Sequence, residues 1–448
     1  MRLTQPTLLS PQLLEFKLTQ IPYSRLFIAY SGGIDSHVLL HLCASIDHFK
    51  GKITAFYVNH GLQTDAEGWG LHCEQVCNNL GVKFLSLKAN AKAAPGESPE
   101  EAARNARYAA LKPLLAKDDL LLLAQHSEDQ LETVLLQLFR GSGLKGLSGM
   151  PPSMAFGQGK LVRPLLDVSK NEILDYAKTH GLNWIEDPSN RQTHFDRNFL
   201  RNDIIPLLKQ RWPSLELTVS RSAKHCANAQ SLIEPVADAW LDAVFDKNEG
   251  SLQINGLQSY TPLQQAVIIR QWLKRLNLKM PSEAAVERIL NEIVVARPDA
   301  NPVVSTQKHS ITRYRNKLYC LRPTKAVEEK SFIWSPELET IKISGDEMYA
   351  IQPSTNGISI ACWQQANITV RFRQGGEQIA LPNRAGRHSL KNLFQEVGIP
   401  PWERPRIPLI YLDDILAAVG DRWISAAYFN VGNVPCCRIV RHSNLSSS

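Results

Sequence analysis

The sequence predicts an α/β protein: a doubly wound parallel sheet, followed by a helical domain and a small α+β C-terminal domain. Three observations predict it. Short apolar runs alternate with helical patterns over roughly the first 215 residues, the order that builds a parallel sheet with helices on both faces. The run Leu120 to Leu123 is apolar without a break, as a strand buried on both faces requires. From about Glu216 the strand signal fades, and alternation returns only at Ile368 to Arg373. A chain of 448 residues suits two to four domains of about 100 to 200 residues each, and the boundaries are expected at 1–215, 216–325 and 335–448.

In chain order, the strands of the first domain are expected at Leu26 to Tyr30, Ile53 to Val58, Val82 to Leu87, Leu120 to Ala124 and Leu161 to Leu165. Helix starts are marked by Thr64-x-x-Glu67, Ser98-x-x-Glu101 and Ser169-x-x-Glu172. Each is a capping box that satisfies orphan N–H groups. Helical spacing of apolar residues covers Ser231 to Phe245 and Leu263 to Leu276, and a charged stretch, Pro323 to Lys330, reads as a linker. Beyond it, Ser389 to Val397 reads as a helix. Ile407 to Tyr411 and Ile415 to Val419 flank Leu412-Asp413-Asp414 like the arms of a hairpin.

At 44% hydrophobic residues the chain is not disordered, and its net charge of +7 leans toward an anionic partner. Nucleic acid comes ahead of membrane because no long apolar segment is present. The N-terminal stretch is broken by polar residues and prolines, which predicts no signal peptide and a cytoplasmic protein. Eight cysteines without a C-x-x-C pair indicate neither a disulfide framework nor a zinc site, and Cys73 and Cys77, one helical turn apart, lack two further ligands.

Chemistry concentrates in two places. Ser31-Gly32-Gly33-Ile34-Asp35-Ser36 lies between the first strand and a helix, where unpaired helix N–H groups and the positive end of the dipole hold phosphate. It lacks the lysine of the G-x-x-x-x-G-K-S/T loop and does not fit G-x-G-x-x-G. Parallel sheets bind ligands beyond the carboxyl ends of their strands, and this loop lies at such an end. The second place follows Leu120 to Ala124: His126, Asp129, Glu132 and Thr133 are three or four apart and share one helix face, with Arg140-Gly141-Ser142-Gly143 at the helix end.

The hexapeptide matches S-G-G-x-D-S, and here the chain resembles the N-type ATP pyrophosphatase, or PP-loop, superfamily, whose sheet is adenine nucleotide α-hydrolase-like. Within it the chain resembles the tRNA(Ile)-lysidine synthetase family over nearly its whole length. The shared motifs are Val58-Asn59-His60-Gly61-Leu62; Glu101-Ala102-Ala103-Arg104 with Arg107-Tyr108; His126-x-x-Asp129-Gln130-x-Glu132-Thr133; Arg140-Gly141-Ser142-Gly143; Arg163-Pro164-Leu165-Leu166; Asp187-Pro188-Ser189-Asn190; and Arg197-Asn198-x-x-Arg201. Val370 to Arg373 and Leu390 to Gln395 extend the likeness into the last domain. Gln125 and Glu128 depart from it, standing where the family often has histidine and aspartate.

The resemblance implies ATP-dependent adenylation of the wobble cytidine of tRNA(Ile) with a CAU anticodon. Free L-lysine then displaces AMP, with Mg²⁺ on the triphosphate. It implies that Ser31, Gly32, Gly33, Ile34, Asp35 and Ser36 bind ATP, with Asp35 the metal-linked carboxylate and Asn59 and His60 bordering the nucleotide. Arg107 would offset phosphate charge or orient substrate, His126 would move protons or touch phosphate, and Asp129 and Glu132 would grip the lysine amine. Two basic runs are candidate tRNA contacts: Arg191, Arg197, Arg201, Lys209 and Arg211; and Arg371, Arg373, Arg384, Arg387 and Lys391. Trp402 either stacks on a base or packs a turn, the latter being the stronger expectation. A PP-loop tRNA thiolase and a tRNA-binding protein without catalysis are the alternatives, and a homodimer is compatible with the sequence.

Overall fold

The computed structural model describes residues 8–59, 66–89, 99–188, 193–278, 280–297, 300, 302–306, 309–322, 331–344 and 347–443. Thr64, Ser98 and the stretch Pro323 to Lys330 lie outside the described residues, as do His60 and Arg191. The chain forms two compact units, Met1–Val236 and Ala237–Ser448.

The first unit is built on strands β1 (Leu26–Ala29), β2 (Ile53–Asn59), β3 (Lys83–Lys88), β4 (Leu120–Leu122), β5 (Ser153–Phe156) and β6 (Gly159–Val162). Its helices are α1 (Pro11–Thr19), α2 (Ile34–Ala44), α3 (Ala66–Asn79), α4 (Pro99–Leu111), α5 (Ser127–Phe139), α6 (Leu144–Leu147), α7 (Lys170–Thr179), α8 (Asp196–Phe199), α9 (Ile205–Arg211) and α10 (Leu215–Val244), the last continuing beyond the unit. A π-helical segment, Leu200–Ile204, joins α8 to α9.

The sheet order is β3-β2-β1-β4-β6-β5. All neighbours are parallel except the edge pair β5 and β6. β1 is central, with Ile28 facing Ala55 on one side and Leu122 on the other. Its side chains alternate between two buried layers. Leu26, Ile28 and Tyr30 pack with α2, while Phe27 packs with Phe56, Leu111 and Leu121, so both faces are covered as expected for a doubly wound sheet. The edge strand β5 carries no pattern long enough to read. It pairs with β6 around Gly157, whose φ of +62° supplies the left-handed turn residue that a tight hairpin needs. The expected strand Leu161 to Leu165 instead ends at Val162, before Pro164, which has no N–H to donate.

In the second unit the expected helices are present: α10 runs to Val244, and Pro262–Arg275 forms a capped helix. With them stands a five-stranded antiparallel sheet between Phe245 and Leu321, absent from the sequence reading because its strands are only two to five residues long. Trp272 is fully buried between helix and sheet and donates from its indole N–H to the Gly250 carbonyl at 2.9 Å. Farther along, Leu409–Leu412 and Ile415–Val419 pair antiparallel as the hairpin reading expected. Asp413 and Asp414 take φ of +48° and +64°, which their short polar side chains tolerate. Ile368–Arg371 joins this sheet, and Leu390–Glu396 forms the expected helix.

Candidate active site

The glycine bend is set by local chemistry. β1 ends at Ala29, and the ladder extends one residue through the Tyr30 N–H to the Phe56 carbonyl at 2.8 Å. Gly32 then takes φ of +83°, and a Cβ there would stand 2.7 Å from Ile185 Cδ1 and 3.0 Å from Cys73 Sγ. The Ser36 hydroxyl ties the bend shut, donating to the Gly33 carbonyl at 2.9 Å and accepting from the Ser31 N–H at 3.2 Å. His37 N–H is held by the Gly33 carbonyl at 2.9 Å, so the amides of Ile34, Asp35 and Ser36 precede the intrahelical ladder. The bend therefore presents donors to an anion.

Around it, three helix N-termini meet. α2 follows β1, α5 follows β4 and α7 follows β6. Asp35, in the first turn of α2, lies 2.5 Å from Lys170 Nζ at the start of α7 and 3.8 Å from His126 Nε2 at the cap of α5. His126 and Asp129 form a capping box: His126 Nδ1 accepts from the Glu128 N–H at 3.3 Å, and Asp129 accepts from the His126 N–H at 3.1 Å. An accepting Nδ1 puts the ring proton of neutral His126 on Nε2, which faces the Asp35 and Asp129 carboxylates at 3.8 and 3.5 Å. His126 is thus a donor into the site.

Glu132 is fully buried. Its two oxygens accept from Arg201 at 2.6 and 2.9 Å and from Arg197 at 2.8 Å. Arg201 also reaches Asp129 at 3.0 Å, and Arg197 reaches the Thr133 hydroxyl at 3.2 Å. Burial pushes the Asp129 carboxyl up, but His126, Arg201, Arg197 and the His126 N–H outweigh it and hold the group below the ordinary carboxylate range. Burial works against the Arg201 charge, yet Glu132 and Asp129 hold it more firmly protonated than a free arginine.

The oxygens of Glu132, expected to grip the lysine amine, are enclosed and paired with two guanidinium groups. Of the first basic run, Arg197 and Arg201 neutralise Glu132 and Asp129, and Lys209 pairs with Glu128 and, at 3.3 Å, with Glu216. The departures from the family pattern are likewise structural, since Glu128 holds Lys209 and Gln125 accepts from Arg163 Nε.

The structure thus brings together Ser31, Gly32, Gly33, Ile34, Asp35, Ser36, His126, Asp129 and Glu132. Arg107 lies half-buried on α4 beside Arg104 and Tyr108, burial lowering its pKa, and Asn59 ends β2. Lys170 was missed by sequence reasoning, which took Ser169-x-x-Glu172 as a cap alone. The cap is present, and its first helical residue is the cation that reaches Asp35. Cys73 and Cys77 are buried thiols that burial pushes up to about 12, and among the described residues no group of three or more side chains could hold a metal ion. Magnesium, which keeps several waters and takes one or two carboxylates plus substrate phosphates, still fits the half-exposed Asp35 beside the bend.

In the second unit, Arg371, Arg373 and Arg384 pair with Asp414, Glu377 and Glu396, leaving Arg387 and Lys391 exposed. Trp402 packs against Tyr319 and Tyr314, with ring centroids 4.9 and 5.9 Å away, in agreement with the packing expectation.

Comparison with known proteins matches three segments of the chain. A PP-loop domain model matches residues 10–208, a TilS substrate binding domain model matches 252–319, and a TilS substrate C-terminal domain model matches 368–440. The chain is 39% identical to the tRNA(Ile)-lysidine synthase of Methylococcus capsulatus over 91% of its length and 94% of that protein. It is 40% identical to that of Coxiella burnetii over 91% of both chains, and 37% identical to that of Legionella pneumophila strain Lens over 98% of its length and all of that protein.

Proposed function

Because the chain belongs to the tRNA(Ile)-lysidine synthase family, we propose that its bend, Lys170 and Asp35–His126–Asp129 cluster carry out the two steps of lysidine formation. The protein is an ATP-dependent ligase that converts the wobble cytidine of tRNA(Ile) to lysidine. In the first step the C2 oxygen of the base attacks the α-phosphate, and diphosphate leaves. In the second, the ε-amine of free L-lysine attacks C2, AMP leaves with the oxygen, and the amine loses a proton. Splitting the reaction replaces a poor leaving group with a good one.

The residues divide this work by charge. The amides of Ile34, Asp35 and Ser36, with the Ser31 hydroxyl and Gly32 and Gly33 for close approach, receive the phosphates. Lys170 and the Nε2–H of His126 offset their charge. Asp35 would hold Mg²⁺, which supplies charge neutralisation on the triphosphate. Asp129, ionised and 17% exposed, is the carboxylate left to bind the lysine ammonium, while Glu132 keeps Arg197 and Arg201 in place behind it. Since the reference lysine pKa is about 10.4, the bound ammonium must surrender a proton before attack. Arg107, Asn59 and His60 are assigned to the nucleotide border.

We assign domains to 1–215, 216–325 and 335–448, one around each matched segment, and place the protein in the cytoplasm, where its tRNA substrate is found. Among the described residues no helix is long and apolar enough to cross a membrane. A homodimer is compatible with this reading.

The single observation that carries the reading is the meeting of three helix N-termini at Asp35, Lys170 and His126 beside the bend. The test incubates the protein with ATP, Mg²⁺, radiolabelled lysine and tRNA carrying a CAU anticodon. Label on the tRNA with one AMP per lysine is expected. Diphosphate release that depends on a sulfur donor instead of lysine would favour a thiolase, and binding without turnover would favour a non-catalytic protein.

A further inference from the structure

The expected tRNA-binding run after the sheet is largely spent on internal pairing, which raises the question of where the RNA is held. Arg197 and Arg201 point to Glu132 and Asp129, and Lys209 lies between Glu128 and Glu216. The next two residues that could meet RNA are Arg211 and Trp212, at the end of α9. Both are exposed, Trp212 by 56%, an unusual position for so large an apolar ring. Trp212 follows Lys209 by three residues, about 4.5 Å of helix rise, and Lys209 touches the neighbour of Asp129.

α10 continues the same chemistry. Leu217, Arg221, Lys224 and Asn228 recur at helical spacing and are all exposed, so they form one face about 16 Å long. No acidic residue occurs between Glu216 and Glu234, and Glu216 is itself paired with Lys209. Among the described residues Arg211, Arg221 and Lys224 have no acidic partner. An exposed aromatic ring next to unpaired cations suits an RNA loop, whose splayed bases stack on aromatic side chains while its phosphates take the charges.

We propose that the end of α9 and the exposed face of α10 form the track along which the anticodon arm enters the site: Trp212 stacks on a base, and Arg211, Arg221 and Lys224 hold phosphates. This rests on the tRNA reading above and adds Trp212, Arg221 and Lys224 to Arg211, the member of the first basic run that lies on this surface.

The test measures equilibrium binding of the full chain to labelled tRNA with a CAU anticodon across a salt series. Trp212→Ala should weaken binding roughly 5- to 150-fold, the range for loss of one base–aromatic stack, and Trp212→Phe should recover most of it. The triple variant Arg211→Gln/Arg221→Gln/Lys224→Gln should lower the slope of log K against log salt by about 2, at roughly 0.7 per single-strand phosphate contact. ATP affinity should stay unchanged in both. Wild-type affinity and slope in these variants would overturn the track, as would equal weakening by Trp212→Ala and Trp212→Phe with the triple variant's slope unaltered. An acidic protein partner for this face would leave tRNA binding untouched. Failure of the wild-type protein to bind the tRNA would instead reject the ligase reading itself.

Discussion

Replacing Glu132 with glutamine separates a buried strut from a lysine-binding carboxylate. The change removes one negative charge from a side chain with 0% exposure that accepts contacts of 2.6, 2.8 and 2.9 Å from two arginines. An amide has one acceptor oxygen, so at least one arginine N–H would face an NH₂ group. Removing one partner of a buried pair costs about 3–5 kcal/mol. Arg201 and Arg197 keep 36% and 20% exposure, so water recovers part of their charge, and a loss of about 2–4 kcal/mol is expected. For a unit the size of Met1–Val236, at roughly 2–4 °C per kcal/mol, this lowers the unfolding midpoint by about 4–16 °C. Calorimetry on the whole chain reads it, the relevant transition being the one that ATP raises. The double variant with Arg197→Met should lose less than the sum of the single losses. An unchanged midpoint together with a raised KM for lysine would return Glu132 to the substrate and refute the strut.

Three further outcomes follow from the geometry. Gly32→Ala forces a Cβ into a left-handed position 2.7 Å from Ile185, so stability should fall by about 1–3 kcal/mol; calorimetric titration should show ATP binding at least about tenfold weaker, and unchanged affinity would mean the bend does not position the amides. Asp35→Ala should lower diphosphate release by about 100-fold or more while tRNA binding persists; wild-type release would remove Asp35 from the site. Burial, and then His72, depress the His37 pKa to about 4, so folded His37 stays neutral where an unfolded histidine, near 6.5, takes up a proton. Its stability contribution is present above about pH 6.5 and lost as pH falls toward 4, up to about 3 kcal/mol. His37→Gln should flatten urea midpoints over that window, and an unaltered pH profile would contradict the assignment.

What the sequence made legible was whatever a short stretch decides alone. The bend needs Gly32 because its φ is positive, the cap at Ser169 needs Glu172 three residues on, and Leu120 to Leu122 needs no partner to announce a strand covered on both faces. The short strands between Phe245 and Leu321 were hidden because few residues carry each period, and one pairing, Lys317 with Gln253, joins residues 64 apart. The pairing of charge was hidden for a related reason: Arg197 and Arg201 sit 65 and 69 residues from Glu132, and the packing of α5 against the segment from α8 to α9 brings them together. A cation's role depends on whether an acid lies within reach, and spacing along the chain does not report that distance. Once the acids at 128, 129, 132 and 216 are assigned their partners, the cations left over on α9 and α10 are those available to phosphate.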